Sequence, residues 1–427
     1  MMEYSKYRDS GIPWIGKIPA HWNILRGKNI LMLLERPVQE GDDIITCFRD
    51  GEVTLRKNRR EEGFTVSMKE IGYQGVEPGD LVVHGMDGFA GAIGVSDSRG
   101  KATPVLNVMD SKENKRYLMY YLRAAAYKDV FMSLSTGIRV RSCDLRWNKL
   151  SVFPFLIPDI SEQDSIVTYI DSQIKRVDDI ISKAKASIEE YKSWKASIIY
   201  EAVTKGLDPN VEMKDSGVEW IGKIPVGWDV RKLKQLISEA LQYGANETGV
   251  EYDESLPRYI RITDVDSNGN LKEEGKLSLP EEVASDYVLE DGDILFARSG
   301  GTVGKAFYYK AEYGKAAFAG YMIRAKVDAK IIDPKLVYFA TLAANYNDWK
   351  STVMTQATIQ NIGANKYNEF YIVVPEKEKQ TILVNYIEEK TKEIDNIISE
   401  KEALIVDLEV YKKSLIFEVV TGKRRVI

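Results

Sequence analysis

A fourteen-residue segment occurs twice in this chain. Asp9-Ser-Gly-Ile-Pro-Trp14-Ile-Gly-Lys-Ile-Pro19-Ala-His-Trp22 returns 206 positions later as Asp215-Ser-Gly-Val-Glu-Trp220-Ile-Gly-Lys-Ile-Pro225-Val-Gly-Trp228, with ten of the fourteen positions identical. A second pair follows. Pro158 to Thr204 matches Pro375 to Thr421 at an offset of 217: Gln163 meets Gln380, Tyr169 meets Tyr386, Asp178 meets Asp395 and Ser197 meets Ser414. Glu201-Ala-Val-Thr204 meets Glu418-Val-Val-Thr421, and a glycine follows each, Gly206 and Gly422. Internal repeats decide architecture before any single residue does. The order is opening motif, variable module, long segment, then all three again, which predicts a pseudo-two-fold fold.

The two long segments read as helices. From Ser161 to Thr204 apolar residues fall at Ile166, Ile170, Ile174, Val177, Ile181, Ala184, Ile188, Tyr191, Ile198 and Ala202. These steps of mostly three and four are a heptad seam. The second copy keeps the register at Leu383, Ile387, Ile394, Ile398, Ile405, Leu408, Leu415 and Val419, with Thr391, Lys401 and Lys412 as breaks. Pro158 and Pro375 stand where a helix can begin, and Gly206 and Gly422 where one stops. A helix of ~44 residues is ~66 Å long. One small module cannot cover such a stripe, so the two seams are expected to pack on each other as an antiparallel coiled coil. Ile170, Val177, Ile181 and Ile188 of one helix and Ile387, Ile394, Ile398 and Ile405 of the other are the expected pairing residues.

The modules between, residues 23–157 and 229–374, show short apolar runs broken by glycine turns. Strands are expected after the Gly-Asp turns at Gly79 and Gly292, and at Ser151–Ile157 and Glu369–Val374 before the long helices. Amphipathic helices are expected at Arg116–Ser133 and Pro334–Met354, and tight turns at 85–100 and 299–304. The fold class is therefore α+β: two mixed α/β domains, each followed by a long helix. The boundaries are 1–157, 158–206, 207–374 and 375–427.

Catalytic signatures are missing from the sequence. Ser299-Gly-Gly-Thr-Val-Gly304-Lys305-Ala306 has three residues between its outer glycines rather than the four of a phosphate loop, and Ala306 stands where a metal-binding hydroxyl belongs. Phe89-Ala-Gly-Ala-Ile-Gly94 is a lone glycine pattern, and no Asn-Pro-Pro-aromatic or Asp-Pro-Pro-aromatic tetrapeptide follows to grip a base. No G-x-S-x-G, H-E-x-x-H or Cys-x-x-Cys occurs. Two histidines, His21 and His84, and two cysteines, Cys47 and Cys143, leave little for metal or acid–base chemistry. The start of the chain has no apolar signal core and no run approaches ~18 apolar residues, so a soluble, cytoplasmic protein is expected. Net charge is −5. Residues 1–157 carry 23 basic and 19 acidic side chains, whereas 212–374 carry 19 and 24, so charge alone does not name a partner.

The opening motifs, the stretch Asp293-Ile-Leu-Phe-Ala-Arg298-Ser-Gly-Gly-Thr-Val-Gly304-Lys305 and the Pro-x4-Gln helix starts resemble the specificity subunit of type I restriction-modification enzymes. The resemblance spans essentially the whole chain. It implies two DNA target-recognition domains, each reading half of a bipartite, asymmetric site, and helices that space the halves and dock two methyltransferase subunits. Motor-nuclease subunits would join through the complex. It implies no catalysis and no cofactor on this chain: S-adenosylmethionine, ATP and Mg belong to partner subunits. The first module departs from the pattern, with Leu81-Val-Val-His84-Gly-Met-Asp-Gly88 where the second has Phe-Ala-Arg-Ser-Gly. Taken alone, the residues leave two other readings open, an enzyme with an unrecognised methyltransferase or nuclease site and a duplicated protein-binding adaptor.

DNA reading needs cations for phosphates and flat amide or guanidinium forks for base edges. In the second module the candidates are Arg298, Ser299, Thr302 and Lys305 on the glycine-rich turn, Thr358, Gln360 and Asn361 before the last strand, and Arg258, Tyr259 and Arg261. In the first they are the basic run Arg56, Lys57, Arg59 and Arg60, then His84 and Met86 on the turn equivalent to Ala297–Ser299, then Arg139, Arg141 and Arg146. Trp14, Trp22, Trp220 and Trp228 read as packing anchors.

Overall fold

The computed structural model describes residues 4–59, 70–133, 145–266, 269–354 and 361–426. The chain divides into two units, Met1–Lys183 with Ala403–Ile427, and Ala184–Glu402. Both long helices run unbroken, Ile160–Lys205 and Lys377–Val420, and each contributes to both units. Gly206 (φ +78°) and Gly422 (φ +69°) end them in the left-handed region, which favours glycine.

The helices pair antiparallel, as the seams predict. In the first unit Ile166 and Ile170, near the start of one helix, share a core with Leu415, Ile416 and Val419, near the end of the other. In the second unit the ends exchange roles: Ile199, Ala202 and Val203 pack with Leu383, Val384 and Ile387. The same ion pair, by repeat position, flanks both seams. Lys412 Nζ lies 2.6 Å from Asp178 Oδ1, and Lys195 Nζ lies 2.6 Å from Asp395 Oδ2. Such partly exposed pairs contribute at most about 1 kcal/mol. The apolar seam therefore supplies the stability, and the ion pairs mark its register. Of the expected pairing residues, Ile170, Val177, Ile181, Ile188, Ile387, Ile394 and Ile398 are buried and Ile405 is half-buried.

Each module is built on an antiparallel four-stranded sheet of the same order. In the first unit the strands run Leu31–Leu33, Leu106–Ser111, Leu81–His84, Ile93–Val95. In the second they run Gln242–Tyr243, Met322–Ala325, Ile294–Ala297, Ala306–Tyr308. The Gly-Asp turn before each inner strand is closed by the aspartate: Asp80 Oδ2 accepts the Glu77 amide at 2.8 Å and Asp293 Oδ2 accepts the Glu290 amide at 2.9 Å. A second ribbon joins the strand after each opening motif to the strand before each long helix, Asn23–Arg26 with Pro154–Ile157 and Asp229–Lys232 with Tyr371–Val374. The modules diverge elsewhere. The second adds a sheet of Val250–Glu251, Leu277–Ser278, Arg258–Ile260 and Ala316–Phe318, its last pair parallel. The first has two antiparallel pairs, Ile45–Cys47 with Val53–Leu55 and Gln74–Val76 with Gly100–Ala102.

Both expected amphipathic helices are broken. The first splits into Lys115–Tyr127 and Val130–Ser133, because Asp129 takes φ +54° and interrupts the α-helical ladder. The second splits into Pro334–Ala340 and Tyr346–Val353, where the Thr341 hydroxyl turns back to the Tyr338 carbonyl (2.6 Å) and the Asn345 amide is drawn to the Trp220 carbonyl (3.0 Å).

The repeated motif residues are clamps. Gln163 is fully buried; its Oε1 accepts the amide of Asn114 (3.0 Å), the cap of the module helix, and its Nε2 donates to Pro158 O (2.9 Å) and Glu113 Oε2 (2.6 Å). Gln380 repeats this with the cap Asp333 (2.9 Å), Pro375 O (3.0 Å) and Ile331 O (3.1 Å). The Pro-x4-Gln spacing thus ties each long helix to its own module. The opening motifs close by matched turns, in which Asp9 and Asp215 each accept the amide of the residue two places on, at 2.8 Å. Trp22 and Trp228 are buried at 1% and 2% exposure, as packing anchors should be. Trp220 stacks on Phe370, and Trp14 meets Tyr121 and Phe417. Trp22 also lies against Gly422, and Trp228 against Gly206, so each long helix ends on the opening tryptophan of the other repeat.

Gln380→Leu would leave the Asp333 amide and two carbonyls dry, which costs about 2–3 kcal/mol. The expected result is a lowered urea midpoint for the second unit. The exposed neighbour substitution Glu389→Gln is expected to stay within ~0.5 kcal/mol of the parent.

Candidate nucleic-acid interface

The inner strand of each main sheet runs out at a surface edge, where a distant segment joins it. In the second unit the Arg298 amide donates to Tyr321 O (3.0 Å) and the Ile362 amide donates to Arg298 O (2.8 Å). Ser299 and Asn361 form an antiparallel bridge. Two expected groups that lie far apart in sequence, Arg298–Ser299 and Asn361, therefore form one edge. The Arg298 guanidinium lies over the Tyr243 ring, 5.0 Å from its centre, and its Nε is buried without a hydrogen-bond partner. The Tyr243 hydroxyl accepts the Ala364 amide at 3.0 Å, which fixes the ring under the arginine. Tyr321 is 65% exposed beside it. Thr302 is exposed on the adjoining turn, whose outer glycines, Gly300 and Gly304, both have φ above +80°.

The other candidates of this module face inward. Lys305 Nζ donates to the carbonyls of Val265 and Asp266, and burial lowers its pKa. Arg258 is buried and held by Glu273 (3.0 Å) and the Lys272 carbonyl. Arg261 forks onto Asp264 at 2.7 and 3.0 Å and donates to Gly275 O. Tyr259 is 4% exposed, with its hydroxyl on Ala245 O. Groups so satisfied have little left to offer a duplex.

In the first module Arg59 binds Asp50 (2.7 Å) and Glu52 (2.9 Å) and covers Phe48, Lys57 binds Asp43 (2.5 Å), and Arg56 donates to Thr46 Oγ1 (3.2 Å). This basic run is laced to its own hairpin. His84 Nδ1 accepts the amides of Met86 (3.2 Å) and Asp87 (3.0 Å), shaping the turn that leaves Met86 53% exposed. Arg146 is exposed where a returning segment meets the strand end, its neighbour Leu145 donating to Gly85 O at 2.9 Å. Arg60, Arg139, Arg141, Thr358 and Gln360 lie outside the described residues. Sequence reasoning passed over Tyr243 and Tyr321. The one available signal was Gly244, which follows Tyr243 and sits so close to the Phe318 and Ala319 carbonyls that no side chain fits. Among the described residues no cluster of His, Cys, Asp and Glu could hold a metal ion, and no helix is long and apolar enough to cross a membrane.

Residues 225–405 match the family model described as the Type I restriction modification DNA specificity domain. The chain is 20% identical over 404 residues to the StySPI type I restriction enzyme specificity subunit of Salmonella potsdam, covering 90% of this chain and 84% of that one. It is 24% identical over 337 residues to the MjaVIII specificity subunit of Methanocaldococcus jannaschii, covering 77% and 76%. A solved chain from work on complex assembly and conformational transition of the type I R-M system shares the fold, with a TM-score of 0.67 at 10% identity over 94% of this chain and 98% of that one. The fold is thus a duplicated α+β one, and residues 225–405 carry the match to the DNA specificity domain. The chain is similar to the specificity subunits of type I restriction-modification enzymes, which are non-catalytic.

The two amides on His84 Nδ1 require that nitrogen to be unprotonated, and burial lowers the His84 pKa from 6.5. A depressed folded value means that the turn's contribution to stability is complete above pH 6.5 and is lost as pH falls through the folded value. In an NMR titration the His84 ring is expected to have its midpoint below 6.5, with the Met86 and Asp87 amides shifting in step. A midpoint above 6.5 would contradict this geometry.

Proposed function

We propose that the chain is the DNA-reading subunit of a type I complex, in which each module reads one half of a bipartite, asymmetric site. The observation that carries this is a repeated frame with unlike edges. The clamps, ion pairs and sheet order recur between repeats, while the strand ends differ, Gly85-Met86 against Arg298-Ser299. A duplicated frame with two different reading edges suits two different half-site words. The paired helices set the spacing between the halves, with a skipped spacer on the order of one DNA turn or less, and dock two methyltransferase subunits. Motor-nuclease subunits join through that assembly. S-adenosylmethionine, ATP and Mg are bound by those partners, and the complex works in the cytoplasm. The domains of this reading are residues 1–157 and 207–374, with spacer helices in 158–206 and 375–427.

The charge distribution supports a further part of the proposal. DNA affinity follows the cations that reach phosphates rather than net charge, and many here are engaged internally. The free subunit therefore binds DNA weakly, and its partners supply much of the electrostatic attraction. Titrating one duplex with the isolated chain and with the assembled complex at matched salt is expected to show far tighter binding by the complex; equal affinity would refute the point.

The ruler role has its own test. Inserting one heptad after Lys183 and one after Glu402 keeps the seam in phase and adds ~10 Å to each helix. The methylated motif is expected to keep both words and to lengthen its spacer by about three base pairs, at 3.4 Å per pair. Altered words with an unchanged spacer would remove the helices from that role.

A further inference from the structure

The strand-end edge occurs in both units, and its hydrogen bonds align the two residue by residue. Gly85 stands where Arg298 stands: their amides donate to Val105 O (2.8 Å) and Tyr321 O (3.0 Å), and their carbonyls accept the amides of Leu145 (2.9 Å) and Ile362 (2.8 Å). The next residue on the returning segment caps a short helix in each unit. Arg146 caps Trp147–Leu150 and Gly363 caps Ala364–Asn368. The matched pairs are therefore Gly85 with Arg146 in the first unit and Arg298 with Gly363 in the second. Each edge carries one arginine and one glycine, on opposite sides of the same bridge.

The glycines are not there for a left-handed φ. Gly363 has φ −81°, and Gly85 also lies outside the left-handed region. Their surroundings give a spatial reason. A Cβ on Gly85 would stand 3.0 Å from the Val105 carbonyl oxygen and 3.8 Å, an ordinary contact, from Arg146 Cγ; one on Gly363 would stand 3.0 Å from Asn365 Oδ1 and 3.4 Å from the Tyr243 hydroxyl that supports the ring under Arg298. Gly85 lets the bridge close on the Val105 carbonyl beside Arg146, and Gly363 leaves room for Asn365 and for the ring platform of Arg298.

Arg298 also differs from other arginines of its unit. Arg258 and Arg261 are paired with acids, whereas among the described residues Arg298 has no acidic partner; it rests on Tyr243 with Nε sealed from water. A guanidinium seated over a ring, its Nε buried and its terminal nitrogens without an acidic partner among the described residues, is positioned rather than merely charged. That suits a two-pronged contact with a base edge better than a point contact with a phosphate, and the base edge matching such a fork is guanine O6 and N7.

We infer that Arg146 and Arg298 are the specificity-determining arginines of the two modules, each reading a guanine in its own half-site from opposite sides of an equivalent bridge. This rests on the reading of the chain as a two-part DNA reader. The test is to map methylated motifs made by the assembled complex carrying the parent chain, R146A, R146K, R298A or R298K. The parent is expected to give a split motif with a guanine in each half. R298A is expected to lose discrimination at one guanine, about tenfold or more, with the other half unchanged, and R146A to do the same in the other half. Should an alanine variant abolish methylation, the lysine variant decides: a relaxed base at that position supports the inference, and an intact motif overturns it, because lysine keeps the charge but not the fork. A motif that keeps every base while methylation falls uniformly overturns it too, since that marks a phosphate contact, as does relaxation of the same half by both arginines. A parent complex that methylates an unsplit site, or none, would instead defeat the two-part reading itself.

Discussion

A helix of 46 residues with one apolar stripe cannot remain stable in water with that stripe exposed, and much in this protein follows from how the stripe is covered. Each long helix is covered in two instalments. The start of one lies on the end of the other, first in one unit and then, with roles exchanged, in the second. Only an antiparallel pair built from two copies of the same seam meets this demand with the same residues twice, and the matched pairs Lys412–Asp178 and Lys195–Asp395 record it. Neither unit is complete without helix contributed from both halves of the chain.

The modules are fastened to that pair by a few buried polar groups. Gln163 and Gln380 each satisfy the cap of a module helix and the carbonyl of their own motif proline, where a solitary buried amide would be costly. The opening tryptophans complete the attachment from the other side, because Trp22 lies against Gly422 and Trp228 against Gly206. Motif conservation within the chain is thus explained by joints rather than by reading residues. The strand ends, which carry no such joint among the described residues, differ between the copies, as do the added sheets.

Legibility in the sequence followed the same division. The seams, the helix stops and the strand after each Gly-Asp turn could be read directly, since heptad spacing and turn chemistry are local. The break at Asp129 could not, because a non-glycine residue in the left-handed region leaves no compositional mark. The internal engagement of Arg261 was within reach, given Asp264 three residues on, but Arg258 depends on Glu273 from another strand connection. The pairing of Arg298 with Tyr243, and of Ser299 with Asn361, needed the sheet to be assembled first, as did the platform role of Tyr243.

This bears on how an acidic module can read DNA. In residues 212–374 acidic side chains outnumber basic ones, yet several of those acids are spent holding cations in place: Asp264 on Arg261, Glu273 on Arg258, Glu369 on Lys232 and Lys234. The two lysines hold the Glu369 pKa down at about 2, so the carboxylate stays charged throughout the neutral range. These groups cancel locally and contribute little field at a distance. What remains at the edge is a small set of oriented groups, Arg298 on its ring, Ser299, Thr302 and Asn361. Sequence discrimination depends on such fixed donors and acceptors, whereas bulk attraction depends on cations that reach the phosphates. A module can therefore be poor in the second and sufficient in the first, which is the division of labour expected of a reader that works inside a larger assembly.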